Sequence, residues 1–117
     1  MDLRTKRVYD PADPSDGFRV LVDRLWPRGL SKERAAVDLW DKQVAPSDDL
    51  RRAFHHDGLP WPEFEDRYRA ELAANPAVDD LRHTLDAHPV VTLLFGAHDP
   101  EHNQAVVLAD LLAPRAA

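Results

Sequence analysis

The sequence predicts a small single-domain α/β fold over residues 1–117, with a mainly parallel sheet covered by helices. Val90–Phe95 is a nearly unbroken apolar run with β-branched residues, which is typical of a central strand in a parallel sheet. Residues 18–22 form a second apolar run, so we expect a strand there beside the central one. A chain of 117 residues has the usual length of one domain and can bury one core.

Short strands and loops alternate in the first part of the chain. Residues 6–9 predict a first strand, and the Pro- and Gly-containing residues 10–17 predict a loop before the strand at 18–22. Ser31 is expected to cap one or two helical turns that reach residue 36. Residues 37–40 alternate apolar and polar side chains, which favours a half-buried edge strand.

Helices are predicted for most of the remaining chain. Ser47 is a good N-cap for a first helix, Pro60 precedes a second, and Asn75 and Pro76 precede a third that ends before residue 88. The central strand is followed by a last helix, with Asp99 expected as its N-cap and residue 112 near its end. We expect the helices at 47–87 and 101–112 to cover the faces of the sheet.

Charge and composition narrow the classes of function. The net charge is −6, but residues 1–34 carry eight basic and six acidic residues, so the positive end of the chain contains the strand at 18–22. An acidic chain is repelled by nucleic-acid backbones, which makes nucleic acid an unlikely partner and a small anion an easier one. The absence of cysteine excludes disulfides and thiolate catalysis. No apolar run approaches the length of a membrane span and the first residues lack a signal-type apolar segment, so we expect a cytoplasmic protein.

A family resemblance runs along almost the whole chain. Its most specific part is the eight-residue motif Val-Asp-Arg-Leu-Trp-Pro-Arg-Gly at residues 22–29, and further matches lie at 6–10, 40–42 and 103–110. The chain thereby resembles the short DUF488 proteins of the YeaO-like group. The resemblance implies a single small α/β domain. It implies no particular reaction, because the family's name marks a domain without an established function.

This sequence departs from the family pattern at two positions. Similar members often carry Lys where His98 stands and His where Gln104 stands. Longer relatives show a Cys-His pair near Asn103 and Gln104, so the resemblance transfers no thiol chemistry to this chain.

The motif that ends the second strand is the first candidate site. Asp23, Arg24 and Arg28 follow a buried strand directly, and guanidinium groups beside a carboxylate can hold an anion while Asp23 orients an arginine or accepts a proton. The same residues are equally consistent with an ion pair that only fixes the turn. Trp26 could stack on a planar ligand or fill the core. Asn103, near the start of the last helix, is a fourth candidate ligand-binding residue because its amide can reach an oxyanion.

Histidines provide the remaining candidates. His55 and His56 lie at a helix C-terminus, where they are routine caps, and His56 is the second candidate catalytic residue beside Asp23. His98 and His102 are four residues apart, but no third ligand is specified, so we expect no metal site. The absence of a glycine-rich phosphate motif predicts that there is no nucleotide cofactor.

The sequence therefore predicts a cytoplasmic protein with an anion-binding pocket at the carboxyl ends of its strands, formed by Asp23, Arg24, Arg28 and Asn103. If it is an enzyme, a small-molecule hydrolase or transferase that relies on proton transfer fits best, and the reaction and the oligomeric state stay open. The alternative is a non-catalytic regulatory or interaction module that docks a protein through the turn of Trp26 and Arg28. The pocket hypothesis requires the turn at 23–29 to lie beside the turn at 99–103.

Overall fold

The computed structural model describes residues 1–113 of the chain. Its strands and helices, in chain order, are β1 (Asp2–Arg7), β2 (Phe18–Leu21), α1 (Lys32–Ala35), β3 (Leu39–Trp40), α2 (Asp48–His55), α3 (Trp61–Ala73), α4 (Ala77–Leu85), β4 (Val90–Phe95) and α5 (Gln104–Leu112). Short 3₁₀ turns precede β2 and α2, at Pro14–Asp16 and Lys42–Val44. The first strand starts earlier than predicted and ends at Arg7, because β1 pairs along its whole length with β4.

The sheet has four strands in the order β1-β4-β2-β3, and all neighbouring pairs are parallel. The prediction that Val90–Phe95 is the central strand with the strand at 18–22 beside it is confirmed. β3 contributes only two residues at one edge, with Val20 opposite Leu39 and Leu21 opposite Trp40. Parallel pairing brings the carboxyl ends of β1, β2 and β4 to the same edge of the sheet.

The two faces of the sheet are covered very differently. Val20, Leu93 and other alternate residues of β2 and β4 pack into a large core with the apolar residues of helices α2 to α5. Leu21 and Leu94 point to the opposite face, where a small core contains Val8 and Ala35. This arrangement differs from the expected cover of both faces by the long helices. Because β4 is apolar on both sides, its sequence does not specify which face receives the helices.

Of three N-caps predicted from the sequence, two are present in the structure and one is not. The Ser31 and Ser47 side chains accept hydrogen bonds from the backbone amides of Arg34 and Leu50, which confirms both predicted N-caps. The predicted N-cap Asp99 is wrong.

The last helix begins four residues later than Asp99 would place it. The Asp99 carboxylate accepts hydrogen bonds from the backbone amides of Glu101 at 2.9 Å and His102 at 3.3 Å, which close a turn outside the helix. The chain then becomes extended at Asn103, whose side chain accepts from the Val106 amide at 3.2 Å and is the actual N-cap. Two good capping residues lie four apart, and the second one starts the helix.

A buried ion cluster closes the opposite, amino-terminal end of β2. Asp16 is 6% exposed and Arg19 is 4% exposed, and their side chains form a salt bridge that Lys6 extends at 3.1 Å from Asp16. The Arg19 guanidinium also donates to the backbone oxygens of Ala35 and Ala36. The cluster therefore ties β1, β2 and α1 together.

Over the described part of the chain, none of the helices combines the length and apolar character that crossing a bilayer requires.

Candidate functional site

The site begins where β2 and β4 leave the sheet side by side. Leu21 pairs with Leu94, so Asp23 and Gly96, each two residues further on, are neighbours. The Gly96 amide donates a hydrogen bond of 2.9 Å to Asp23 Oδ2. The Asp23 backbone is held in turn by the indole of Trp40, which donates to its oxygen at 2.8 Å. The strand register thus fixes a carboxyl group at the edge of the sheet.

Asp23 is the most strongly perturbed acid of the site. Its Oδ1 accepts a hydrogen bond from the Gln104 side-chain amide, and Oδ2 accepts from Gly96. Burial raises the pKa of Asp23 to about 6, although these two hydrogen bonds stabilise the ionised form and oppose the rise. A carboxyl group with a pKa near neutrality can accept or donate a proton under physiological conditions.

Gly96 is required by the close approach of Asp23. A Cβ atom at position 96 would lie 2.8 Å from Asp23 Oδ2, closer than side-chain atoms tolerate. The absence of a side chain therefore lets the Asp23 carboxylate reach the end of the central strand.

A concave pocket opens beside Asp23, with a volume of about 290 Å³. That volume is at the lower end of the range for small-molecule sites. Its walls come from the ends of three strands, the turn after β2, helix α2 and the start of α5. The lining residues are Tyr9, Asp23, Arg24, Leu25, Trp26, Pro27, Arg28, Pro46, Arg51, His55, Gly96, Ala97 and Gln104.

Three arginines line this strand-end pocket. Arg24 is half-buried and donates to the backbone oxygens of Pro46 at 3.1 Å and Ala45 at 3.4 Å. Arg28 lies in the exposed part of the turn, where Tyr9 donates to its backbone oxygen at 2.9 Å. Arg51 comes from α2, and its buried Nε has no hydrogen-bond acceptor among residues 1–113. Asp48 lies 3.7 Å from Arg24 and 3.6 Å from Arg51, too far for good hydrogen bonds.

The two turns were predicted to meet at residues 99–103, but the pocket of Arg24 and Arg28 is lined by residues on either side of that segment, and Asp99 and His102 line a neighbouring pocket instead. Arg24 and Arg28 line one pocket with Gly96 and Ala97, which begin the connection from β4 to α5. Asp23 makes the direct link between them through Gly96 and Gln104.

Trp26 combines the two roles that the sequence left open. It lines the pocket, yet it is half-buried, packs edge-on against Trp40 at 5.4 Å and donates to the Leu30 oxygen at 2.7 Å. Its ring therefore belongs to the small core and presents only part of its surface to the pocket.

Asn103 and His56 are placed away from the pocket. Asn103 is 1% exposed, and its amide is used locally: it donates to the Asp99 oxygen at 2.8 Å and caps α5. His56 is exposed at the end of α2, and the pocket is lined by its neighbour His55 instead. Burial, assisted by Arg51 and His56, lowers the pKa of His55, which favours its neutral form. Neither Asn103 nor His56 reaches Asp23 in this arrangement, so the predicted positions must each be shifted by one residue.

Sequence reasoning missed Arg51 and the role of Gln104. Gln104 was noted only as a departure from the family pattern, yet it supplies the side-chain donor to Asp23. The sequence signal for this role was the pair of consecutive side-chain amides, Asn103 and Gln104. Asn103 caps the helix, whereas Gln104 begins its first turn and donates to Asp23. Arg51 is brought to the pocket by the packing of α2.

The histidines of the turn before α5 form no metal centre in this structure. His102 Nδ1 lies 3.0 Å from Asp99 Oδ2. Within residues 1–113, no group of three or more histidine or carboxylate side chains has an arrangement that would hold a metal ion.

The architecture and site define a small parallel α/β domain with an arginine-lined pocket at its strand ends. Residues 2–117 match the family model described as the inactive DUF488-N3 subclade. The chain therefore belongs to the DUF488 family.

The sequence is also similar to curated proteins over nearly their full length. It is 46% identical to the uncharacterized protein YeaO of Escherichia coli K12 over 112 residues, which cover 96% of this chain and 97% of that protein. It is 43% identical over 113 residues to the uncharacterized protein Rv3073c of Mycobacterium tuberculosis H37Rv, covering 97% of this chain and 95% of that protein. No solved structure matches the chain significantly.

Proposed function

We propose that this protein binds a small anion, a carboxylate or a phosphate, in the strand-end pocket and does not transform it. The observation that carries the proposal is the convergence of Arg24, Arg28 and Arg51 on one concave site, in a chain whose net charge is −6. Asp23 is the one acidic residue among the lining residues. Guanidinium groups bind carboxylate and phosphate oxygens in a planar, two-pronged geometry.

The arginines retain capacity for such a ligand. Arg24 donates from Nε and Nη2 to two backbone oxygens, which carry no full charge. Asp48 lies beyond hydrogen-bond distance of both Arg24 and Arg51. Asp48 therefore offsets part of the positive charge of Arg24 and Arg51, but it does not occupy their hydrogen-bond donors. A bound anion would supply the missing acceptor oxygens.

Asp23 links binding to pH under this proposal. Burial raises its pKa to about 6, so below that pH the carboxyl group is neutral and can donate a hydrogen bond to the anion. Above that pH the carboxylate repels it. Affinity should therefore decrease as the pH rises through 6.

Binding without chemistry is favoured by two observations. The lining residues include no serine, threonine or cysteine that could act as a nucleophile. The family description also calls the subclade inactive. A hydrolase or transferase would need a proton-transfer mechanism that uses Asp23 and His55, which both line the pocket.

We propose the cytoplasm as the compartment of this protein.

The experiment compares two neighbouring arginines of one helix. Isothermal titration with inorganic phosphate and with acetate should show binding that Arg51→Gln weakens about tenfold or more, the equivalent of one charged hydrogen bond. Arg52→Gln is the matched control, since Arg52 is exposed and does not line the pocket. Equal affinities of the two variants, or no binding of either anion by the wild type, would refute the proposal.

Docking of a protein through the turn after β2 is the second candidate function, because Leu25 is 61% exposed. Exposed apolar side chains beside arginine are typical of interface centres. A Leu25→Ser variant that abolishes cross-linking to a cellular protein would support this function, and one that leaves the cross-linking intact would contradict it. The half-buried Trp26 argues for the small ligand.

A further inference from the structure

A second pocket adjoins the strand-end pocket and has a different chemical character. It has a volume of about 390 Å³, and it shares His55 and Ala97 with the first. Its walls are formed mainly by the rings of Phe54, Trp61, His98, His102 and His55, and Asp99, whose carboxylate lies 3.0 Å from His102 Nδ1, also lines it. The two pockets therefore adjoin at His55 and Ala97, and arginines line one whereas rings line the other.

The aromatic wall is rigidly supported from below. Phe54 stacks on the buried Phe64 with ring centres 4.4 Å apart, and Trp61 stacks on the same ring at 5.6 Å. Phe64 is 1% exposed and in turn contacts Tyr68, which is fully buried. Rings anchored in the core in this way lose little conformational entropy when they bind a ligand.

The outer side of the second pocket is accessible. The His102 ring lies 5.0 Å from the Trp61 ring and is about half exposed. His98 is exposed as well, and Trp61 is only partly buried. The His102 and Trp61 rings are therefore in contact with one another, and a planar group would lie against their outer surfaces, where stacked and edge-on ring contacts are both favourable.

We propose that the anion bound by the strand-end pocket carries an aromatic or heteroaromatic ring, and that this ring occupies the pocket of Phe54, Trp61 and His102. This inference rests on the proposed anion binding and adds the chemical class of the ligand. Specificity for an aromatic acid follows because the acidic group and the ring would contact two adjoining surfaces of opposite character.

The test uses pairs of anions that share an acidic group and differ in the ring. Phenyl phosphate is compared with methyl phosphate, and AMP with ribose 5-phosphate, which gives the ring a longer reach. Cyclohexyl phosphate controls for apolar size without planarity. We expect the ring-bearing member of at least one pair to bind about tenfold more tightly than its partner and more tightly than cyclohexyl phosphate.

Variants locate the preference. Trp61→Leu and His102→Ala should each reduce the ratio of affinities towards one, and methyl phosphate should bind them as it binds the wild type. His102 is exposed, so His102→Ala keeps the test valid if Trp61→Leu fails to fold. The matched control is His88→Ala: His88 stacks on Phe18 at 3.8 Å but lies at the other end of the sheet, so its loss should leave the ratio unchanged.

The outcomes separate this inference from the proposed function. Equal affinities within both pairs, with binding still sensitive to Arg51→Gln, would overturn the aromatic ligand and leave anion binding intact. A ring preference that survives both Trp61→Leu and His102→Ala would also overturn it. If neither these phosphates nor acetate binds, the proposed function itself fails, and the aromatic ligand fails with it.

Discussion

Two carboxyl groups at opposite ends of β2 are both withdrawn from water, and they have opposite pKa shifts. Asp16 precedes the strand and Asp23 follows it. Asp16 is paired with two cations, Arg19 and Lys6, and also accepts from the Asp13 amide at 3.0 Å. Asp23 accepts only from neutral donors, the Gly96 amide and the Gln104 side chain.

The partners decide the direction of each shift. Burial acts to raise the pKa of Asp16, but the hydrogen bonds from Asp13, Lys6 and Arg19 and the charge of Lys6 outweigh it and lower the pKa. At Asp23 burial prevails over two neutral hydrogen bonds, and the pKa rises to about 6. One end of the strand therefore holds a structural carboxylate whose pKa is lowered, and the other holds an acid that can change charge near neutral pH.

The largest expected effect is at the amino end. Asp16→Asn leaves the buried Arg19 without its counter-charge, so we expect a loss of about 3–5 kcal/mol in the free energy of unfolding at pH 7. The exposed pair of Asp2 and Arg4 provides the control, since its side chains are about half exposed and Asp2→Asn should cost less than about 1 kcal/mol. Urea unfolding measures both. Equal costs would show that the amino-end cluster is not a buried ion pair.

The second effect is at the carboxyl end and depends on pH. Because the pKa of Asp23 is raised to about 6, its contribution to stability is fully present below the ordinary pKa near 4 and is lost as the pH rises through 6. Asp23→Asn removes this loss, so its stability relative to the wild type should increase by about 2–3 kcal/mol between pH 4 and pH 7.

Urea unfolding at a series of pH values tests the titration of Asp23, with the exposed Asp10→Asn as control. A difference between variant and wild type that does not change with pH would contradict the raised pKa of Asp23.

The smallest effects distinguish two arginines of the pocket. Arg24→Ala leaves the buried backbone oxygens of Ala45 and Pro46 without their donor, which should cost about 1–3 kcal/mol. Arg28→Ala should cost less than about 1 kcal/mol, because Arg28 is exposed, although both substitutions should weaken anion binding. Thermal unfolding of the two variants decides the order, and a larger loss for Arg28 would contradict it.

Much of the fold could be predicted because its determinants are local. Several elements are specified without reference to the rest of the chain. They are the apolar run of β4, the caps Ser31 and Ser47, and the Gly, Asn and Pro residues that separate the helices. The pairing of β1 from Asp2 could not be predicted in this way, since that edge strand is stabilised by its contact with β4.

The pocket lies at the edge of the sheet that the sequence indicated, and it is lined by His55 and Gln104 in place of the candidates His56 and Asn103. Whether His55 or His56 faces the pocket depends on the rotation of the last turn of α2. Whether Asn103 or Gln104 reaches Asp23 depends on where α5 begins, and Asp99 and Asn103 compete for that role. Both are questions of helix phase, which tertiary packing sets and local propensity does not.

The uneven cover of the sheet has a consequence for its motions. Within residues 1–113, four helices shield one face, whereas the other is covered by a single helical turn and the indole rings of Trp26 and Trp40. Segments with few buried apolar neighbours open at the lowest free energy, without unfolding of the remainder. The residues from Asp23 to Arg28 belong to this thinner layer. One wall of the pocket can therefore open locally while the helices behind the opposite wall remain folded. A ligand held between the two would fasten the more mobile layer to the rigid one.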